Sequence, residues 1–207
     1  MKKIEIDVFS DIVCPWCFIG MSQLDKALAE LEGEVEATVT HHPFMLDANT
    51  PEGGVNLREW LRDRFGGDPA AAWAQLEGAA ARAGVDLKVA RQPMNYNTAK
   101  SHTLLRHAGE HTHEMNRALF ESYFVKGENI DDDDVLVRIA GENGMDEATA
   151  RKLLADSQEI SATYREAQRG AMSGVTGVPF FVFNKKLATS GAQPPEALKQ
   201  AIRQAAA

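Results

Sequence analysis

The chain has two cysteines, Cys14 and Cys17, separated by two residues where a strand-like run gives way to a helix-like one. Upstream, Ile4, Ile6 and Val8 alternate with Glu5 and Asp7, the period of a half-buried strand. Downstream, Phe18, Met21, Leu24, Leu28 and Leu31 recur at spacings of three and four, one face of an amphipathic helix. The pair is therefore predicted to open that helix. Pro15 suits its first turn, because the fixed φ fits and the missing N–H would lack a partner there anyway. Free backbone N–H groups and the positive end of the helix dipole favour an anion at this position, and a thiolate is one. Cys14, outermost, is expected to be the activated thiol; Cys17, a turn further in, the more buried one.

Such a pair would also fit half of a zinc site, or two unrelated structural thiols. Structural zinc normally takes four Cys or His ligands, and the sequence has no second C-x-x-C. The spacing favours a redox pair, and no metal is expected. With 207 residues, 44% hydrophobic and 25% charged, the chain can bury a core as one domain with an insertion or as two small domains. A formal net charge of −8 argues against a nucleic-acid or anionic-membrane surface. No stretch approaches the about 20 apolar residues of a membrane span. Glu5 and Asp7 interrupt the N-terminus where a signal peptide needs an unbroken apolar run. A cytoplasmic, reducing location is expected, where a C-x-x-C is catalytic more often than structural.

After a break at Gly33, Val35, Ala37 and Val39 alternate with polar residues as a second strand ending near His42-Pro43. A turn-rich loop from Asp47 to Asn56 follows, and the pattern is then helical to about Met172. Leu57, Trp60, Leu61 and Phe65 mark a short helix closed by Gly66-Gly67. Asp68-Pro69 is predicted to cap an Ala-rich helix with Trp73 and Leu76. Beyond a loop over residues 91–98, Leu104, Leu105 and Ala108 mark another helix, and Met115, Leu119, Phe120 and Tyr123 form a stripe stopped near Gly127. The run Asp131 to Asp134 is expected to cap a helix rather than hold calcium, since no EF-hand spacing follows. Gly144 should end that helix and Asp146 open the next; Ile160, Tyr164 and Ala167 lie on the last.

At Gly174 to Pro179 the chemistry becomes that of a turn, and Phe180 to Phe183 is a continuous apolar run typical of a strand buried on both faces. Asn184-Lys185-Lys186 should turn the chain into a returning strand, Leu187 to Thr189, before a C-terminal helix bearing Leu198 and Ile202. The order predicts an α/β redox domain made of residues 1–45 and 173–207, with residues 46–172 as a helical insertion.

Three groups outside the pair carry chemistry worth weighing. Asp11, three residues before Cys14, is either a helix cap or a buried carboxylate that relays a proton to Cys17. His107, His111 and His113 include an i, i+4 pair suited to zinc, but Glu110, Thr112 and Glu114 mark a solvated face. Trp60, Trp73, Phe120 and Phe124 are expected in the core of the insertion, with some placed to line a groove between the two parts.

These residues resemble the thioredoxin superfamily, specifically its DsbA-like branch and, within it, the FrnE-like cytoplasmic proteins. The resemblance is carried by Phe9-Ser10-Asp11 before Cys14-Pro15-Trp16-Cys17, by Gly177-Val178-Pro179-Phe180-Phe181-Val182-Phe183 and by Ser190-Gly191-Ala192-Gln193. Asn97-Thr98 and His102 also match that group. It implies a thioredoxin fold with a central all-α insertion and a thiol–disulfide oxidoreductase acting on disulfide-containing proteins or small thiols. Cys14 would be the nucleophile and Cys17 the resolving thiol, with Pro15 and Trp16 tuning the pair. It further implies a cis bond between Val178 and Pro179, with the Val178 backbone pairing to an extended substrate segment. Cis X–Pro bonds make up only about 5–6% in folded proteins, so an ordinary trans proline at a strand start is the plain alternative.

No resident cofactor is implied; glutathione or a thioredoxin-like reductant would recycle the pair, giving a reductase or isomerase role in the cytoplasm. Glutathione transferases and aromatic-acid isomerases of related fold typically carry serine where Cys14 stands, so two cysteines favour disulfide exchange. Trp16 stands where other branches have histidine or glycine. The alternatives are a redox-regulated chaperone or binding protein, and a glutathione-dependent transferase or isomerase. The sequence leaves the oligomeric state open.

Overall fold

β1 (Lys2–Ser10) and β2 (Val35–Pro43) run parallel, joined by α1 (Pro15–Glu30), in a computed structural model that describes residues 1–66 and 69–207. β5 (Phe180–Phe183) pairs antiparallel on the other side of β1, setting Ile6 against Phe183 and Val8 against Phe181. β6 (Leu187–Ser190) pairs with β5 and completes the order β2-β1-β5-β6. Side chains alternate across a strand, so Ile4, Ile6, Val8, Phe181 and Phe183 share one face. All five are buried there, with α1 and α9 (Pro195–Ala205) supplying Leu24, Leu198 and Ile202 to the same core. Burying each such side chain stabilises the fold by roughly 1.5–3 kcal/mol.

Asn184 to Lys186 connect β5 and β6, with Asn184 and Lys185 at positive φ, 48° and 56°, and the Lys186 amide donating to the Phe183 carbonyl to close the turn. Asn184 also accepts from the Glu5 amide and donates to the Ala205 carbonyl, pinning the turn to β1 and α9. The run Phe180 to Phe183 departs from its expectation of burial on both faces. Phe181 and Phe183 are fully buried, but Phe180 and Val182 are half-buried. The second face is covered where α8 (Ser157–Met172) crosses it, Gly170 resting on the Phe9 ring.

The insertion comprises α2 (Leu57–Phe65), α3 (Ala70–Arg82), α4 (Ala99–His107), α5 (Thr112–Glu121), α6 (Asp133–Glu142), α7 (Glu147–Ala155) and α8. Among its described residues the extended structure is a short antiparallel ladder between β3 (Val55–Asn56) and β4 (Met94–Asn95), too brief for any period to reveal. Asn56 caps α2, and Gly66 ends it with φ 73°. The partner glycine Gly67 and the expected cap Asp68 lie outside the described residues. α5 widens into a π turn, Ser122–Lys126, which stops at Gly127. There φ is +69° and a Cβ would meet the Arg91 carbonyl at 2.5 Å, so glycine is required.

Asp132 caps α6 by accepting from the Asp134 and Val135 amides, and Asp146 and Asp156 cap α7 and α8 in the same way. Asp131 instead turns inward and accepts from the Gly53 amide. Phe120 and Phe124 are buried, and they stack on Phe18 of α1 at 5.4 and 5.7 Å, so they join the helices between β2 and β5 to α1. Trp60 and Trp73, expected in the core, are half-buried under Arg64 and Arg58. Among the described residues no helix is long and apolar enough to cross a membrane.

Candidate active site

Cys14 is the N-cap of α1 and Pro15 its first residue. The Cys14 amide donates to the Asp11 carbonyl at 3.0 Å, and the Cys17 and Phe18 amides donate to the Cys14 carbonyl at 3.0 and 3.3 Å. This turn leaves Cys14 5% exposed and Cys17 fully buried, both as free thiols. Burial pushes the Cys17 thiol well above its ordinary range, and a hydrogen bond to the Cys14 sulfur and that sulfur's charge push the same way. Cys17 is therefore held as a thiol behind a more accessible Cys14. Trp16 is 41% exposed and sets its indole at the surface beside the pair.

The Val178–Pro179 bond is cis. The Val178 carbonyl faces Cys14, accepting from its Sγ at 3.8 Å. Two glycines hold this loop. A Cβ at Gly20 would lie 2.7 Å from Pro179 Cγ, so α1 approaches the proline ring only because residue 20 has no side chain. The Gly191 amide donates to the Pro179 carbonyl at 2.8 Å, bringing the end of β6 behind it.

Asp11 is buried and is not the cap of α1. Its Oδ2 accepts from the Leu46 amide at 2.7 Å. Its Oδ1 has no hydrogen-bond partner and stands 3.6 Å from His102 Nε2, which also has none. Tyr123 lies near, donating to the Met94 carbonyl; burial, and then the Asp11 charge, push its phenol upward. The candidates Cys14, Cys17, Pro15, Trp16, Asp11, Val178 and Pro179 thus meet where α1, the β2 end and the β5 entry converge.

The three histidines of the insertion part company, because α4 ends at His107. His107 pairs with Glu159, His111 packs on Gly144, and His113 reaches Asp25 of α1 at 2.7 Å. Among the described residues no three His, Cys, Asp or Glu side chains are grouped to hold a metal. An open groove of about 830 Å³ runs along β2 toward α4 and α5 and is lined by neither cysteine.

The family described as the DSBA-like thioredoxin domain matches residues 5–203. The chain belongs to that family. The Bacillus subtilis (strain 168) protein called "Uncharacterized protein YwbO" is 27% identical to this DSBA-like chain over 212 residues, 96% of each. The probable DsbA oxidoreductase SCO1869 from Streptomyces coelicolor superposes with a TM-score of 0.85 at 30% identity, over 98% of this chain and 89% of that one. The cytosolic disulfide reductase DsbM from Pseudomonas aeruginosa, solved with GSH, superposes at 0.65 with 18% identity, over 98% and 95%, a likeness of fold. Membership supports thiol–disulfide oxidoreductase chemistry in general and accounts for the thioredoxin-like α/β architecture.

Sequence reasoning missed Gly20 as the seat of Pro179, although it lies in the same stretch as the cysteines. His102 came only through the resemblance, and His41, His113 and Asp25 had no shared signal that places them together.

Proposed function

We propose that this DSBA-like chain is a cytoplasmic thiol–disulfide oxidoreductase working as a reductase or isomerase on protein disulfides or small-thiol disulfides. One observation carries the reading: Cys14 caps α1 beside the Val178 carbonyl, with a protonated Cys17 enclosed behind it. The Cys14 thiolate attacks one sulfur of a substrate disulfide, forming a mixed disulfide and expelling the other sulfur as a thiolate. Cys17 then gives up its proton and attacks Cys14 Sγ, expelling the second substrate sulfur and closing the Cys14–Cys17 disulfide. Two electrons have passed to the substrate. A thioredoxin-like dithiol or two glutathiones return the pair to the dithiol, and no resident cofactor is needed.

Asp11, buried under the turn, accepts the Cys17 proton. The Val178 backbone offers its carbonyl side to an extended substrate segment, with Pro15, Trp16 and Pro179 shaping the contact. The fold shared with the cytosolic reductase DsbM, seen with GSH, supports the location and a glutathione-linked cycle.

The test is exchange with insulin and with glutathione disulfide, using Cys14→Ser and Cys17→Ser variants. Cys14→Ser should be inactive, and Cys17→Ser should accumulate a mixed disulfide at Cys14. Undiminished turnover by Cys14→Ser would defeat the reading. A double serine variant that still suppresses client aggregation as well as the parent would favour a chaperone role. Saturable glutathione binding without exchange would favour a transferase or isomerase.

A further inference from the structure

The buried polar groups under the cysteines continue past Asp11. His102 presents Nε2 to Asp11 Oδ1, and it also lines a small cavity with His41, His42 and Asn116. About 10 Å³ of that cavity is open to the centre of a water molecule, close to the least that holds one water (roughly 10–15 Å³). Around it lie His41 Nδ1 and both polar atoms of the Asn116 amide, enclosed and without partners, as are His102 Nε2 and Asp11 Oδ1. Enclosed polar atoms without partners are rare, and five in one region call for an unseen one. One water has the donors and acceptors to serve several of them.

On the far side of the cavity the chain of contacts resumes. His41 Nε2 lies 3.1 Å from His113 Nδ1, and His113 Nε2 lies 2.7 Å from Asp25 Oδ1. His113 and Asp25 are half-buried, and His41 and His113 line the open groove along β2. We propose that a water bound between His102, Asn116 and His41 completes a proton path from Asp11, under Cys17, to solvent at His113 and Asp25. This rests on the reading of Cys17 as the resolving thiol.

The path answers a need the site creates. Cys17 is fully buried, yet its thiol must lose a proton before it can attack Cys14. The proton passes from Cys17 Sγ to the Asp11 carboxylate and on to His102. The water carries it to His41 Nδ1, while His41 Nε2–H passes to His113 Nδ1 and His113 Nε2–H leaves to Asp25 and solvent. His102 takes the proton at Nε2 and returns it to the water from that same nitrogen, while His41 and His113 each gain a proton on Nδ1 as they lose one from Nε2, so neither of those two rings has to remain charged. That suits His41, half-buried as a whole but with Nδ1 enclosed: burial first, then the neighbouring His113, His42 and His102, hold its pKa down to about 3. The groups facing the path are Cys14 and Asp25 of α1, His42 of β2 with its partners Asp7 and Glu166, His102 and Arg106 of α4, His113 and Arg117 of α5, and Tyr123 of the π turn, Arg117 lying 3.4 Å from Asp25. Arg106 is occupied by Glu159 and Glu166 of α8.

The experiment mixes reduced protein with glutathione disulfide and follows the two steps separately by rapid acid quench and mass spectrometry. Attack by Cys14 appears as mixed disulfide; resolution by Cys17 appears as its loss. In His41→Ala, resolution at pH 7 should slow at least tenfold, since positioned proton transfer contributes about 10²–10⁴-fold, while the attack rate stays within twofold. Imidazole should restore resolution, and pyrrole, of the same shape without a basic nitrogen, should not. Asp25→Asn, at a half-buried surface position that does not threaten folding, should slow the same step severalfold. Resolution within twofold of the parent in both variants overturns the path. So does equal rescue by pyrrole, or equal slowing of both steps. If the parent resolves no mixed disulfide at all, the oxidoreductase reading fails and the path fails with it.

Discussion

Replacing Gly20 by alanine tests how closely α1 must approach the proline loop. The new Cβ would sit 2.7 Å from Pro179 Cγ, 3.3 Å from Pro179 Cβ and 3.4 Å from Phe181 Cζ, where carbon atoms prefer about 3.5–4.0 Å. The Pro179 ring can change only its pucker, a small movement of Cγ, and its carbonyl is tied to the Gly191 amide. Phe181 is fully buried, so that side is closed too. Overpacking of this kind costs about 1–3 kcal/mol. Against it, alanine gains about 0.8–1 kcal/mol over glycine inside a helix. The net expectation is a loss of roughly 0–2 kcal/mol, or up to about 4–8 °C in Tm for a chain of this size.

Gly78→Ala is the internal control. Gly78 lies in α3 with only the Arg82 Nη1 atom at 3.6 Å, an ordinary contact, so the helix gain should appear undiminished. Urea unfolding followed by tryptophan fluorescence should therefore separate the two variants by about 1–3 kcal/mol at a common slope. Because Gly20 seats the loop that carries the Val178 carbonyl, its variant should also slow Cys14 attack on glutathione disulfide. If Gly20→Ala proves as stabilising as Gly78→Ala, the close approach is not real.

In native reduced protein, iodoacetamide should modify Cys14 long before Cys17, which burial keeps protonated and enclosed; peptide mapping that finds Cys17 labelled first would contradict this. His41 has a folded pKa lowered from 6.5 to about 3, so its contribution to stability is present above pH 6.5 and is lost as pH falls toward 3. Relative to His41→Gln, the parent should lose up to about 1.4 kcal/mol per pH unit across that window, and parallel pH profiles would refute it. Arg106 donates to Glu159, Glu166 and Thr163 from a largely buried position; Arg106→Met should cost about 2–3 kcal/mol in urea, and a loss under about half a kcal/mol would show that α4 and α8 do not depend on it. Cells quenched with acid and labelled with a mass-tagged maleimide should show the Cys14–Cys17 pair mainly as dithiol, whereas a mainly oxidised pair would reverse the proposed direction.

Features that depend on near neighbours in the chain are legible in the amino-acid sequence by itself. The alternation of Ile4, Ile6 and Val8 makes β1, and the three- and four-residue spacing from Phe18 to Leu31 makes α1, because each period states which face is buried. The run Asp131 to Asp134 and Asp146 announce helix starts because a cap bonds amides two or three residues on, and the structure makes Asp132 the cap within that run. Cys14 at the mouth of α1 follows from the junction of those two periods. The resemblance adds the pairing of that motif with Val178-Pro179, which local patterns alone would leave as a strand start.

Tertiary structure decided whatever depends on residues distant in the chain. Phe180 to Phe183 is uniformly apolar, and only the tertiary structure buries Phe181 and Phe183 under α1 and α9 while leaving Phe180 and Val182 half-buried on the other face. Gly20 looks like any helical glycine until Pro179 is laid against it. Asp11 reaches His102, and His41 reaches Asp25 through His113, because β1, β2, α1, α4 and α5 pack as they do. A period carries the direction in which a side chain points and nothing about what stands opposite. The partner is set by the packing of elements many residues apart, and in this chain that packing brings a buried thiol, a carboxylate and a line of histidines together.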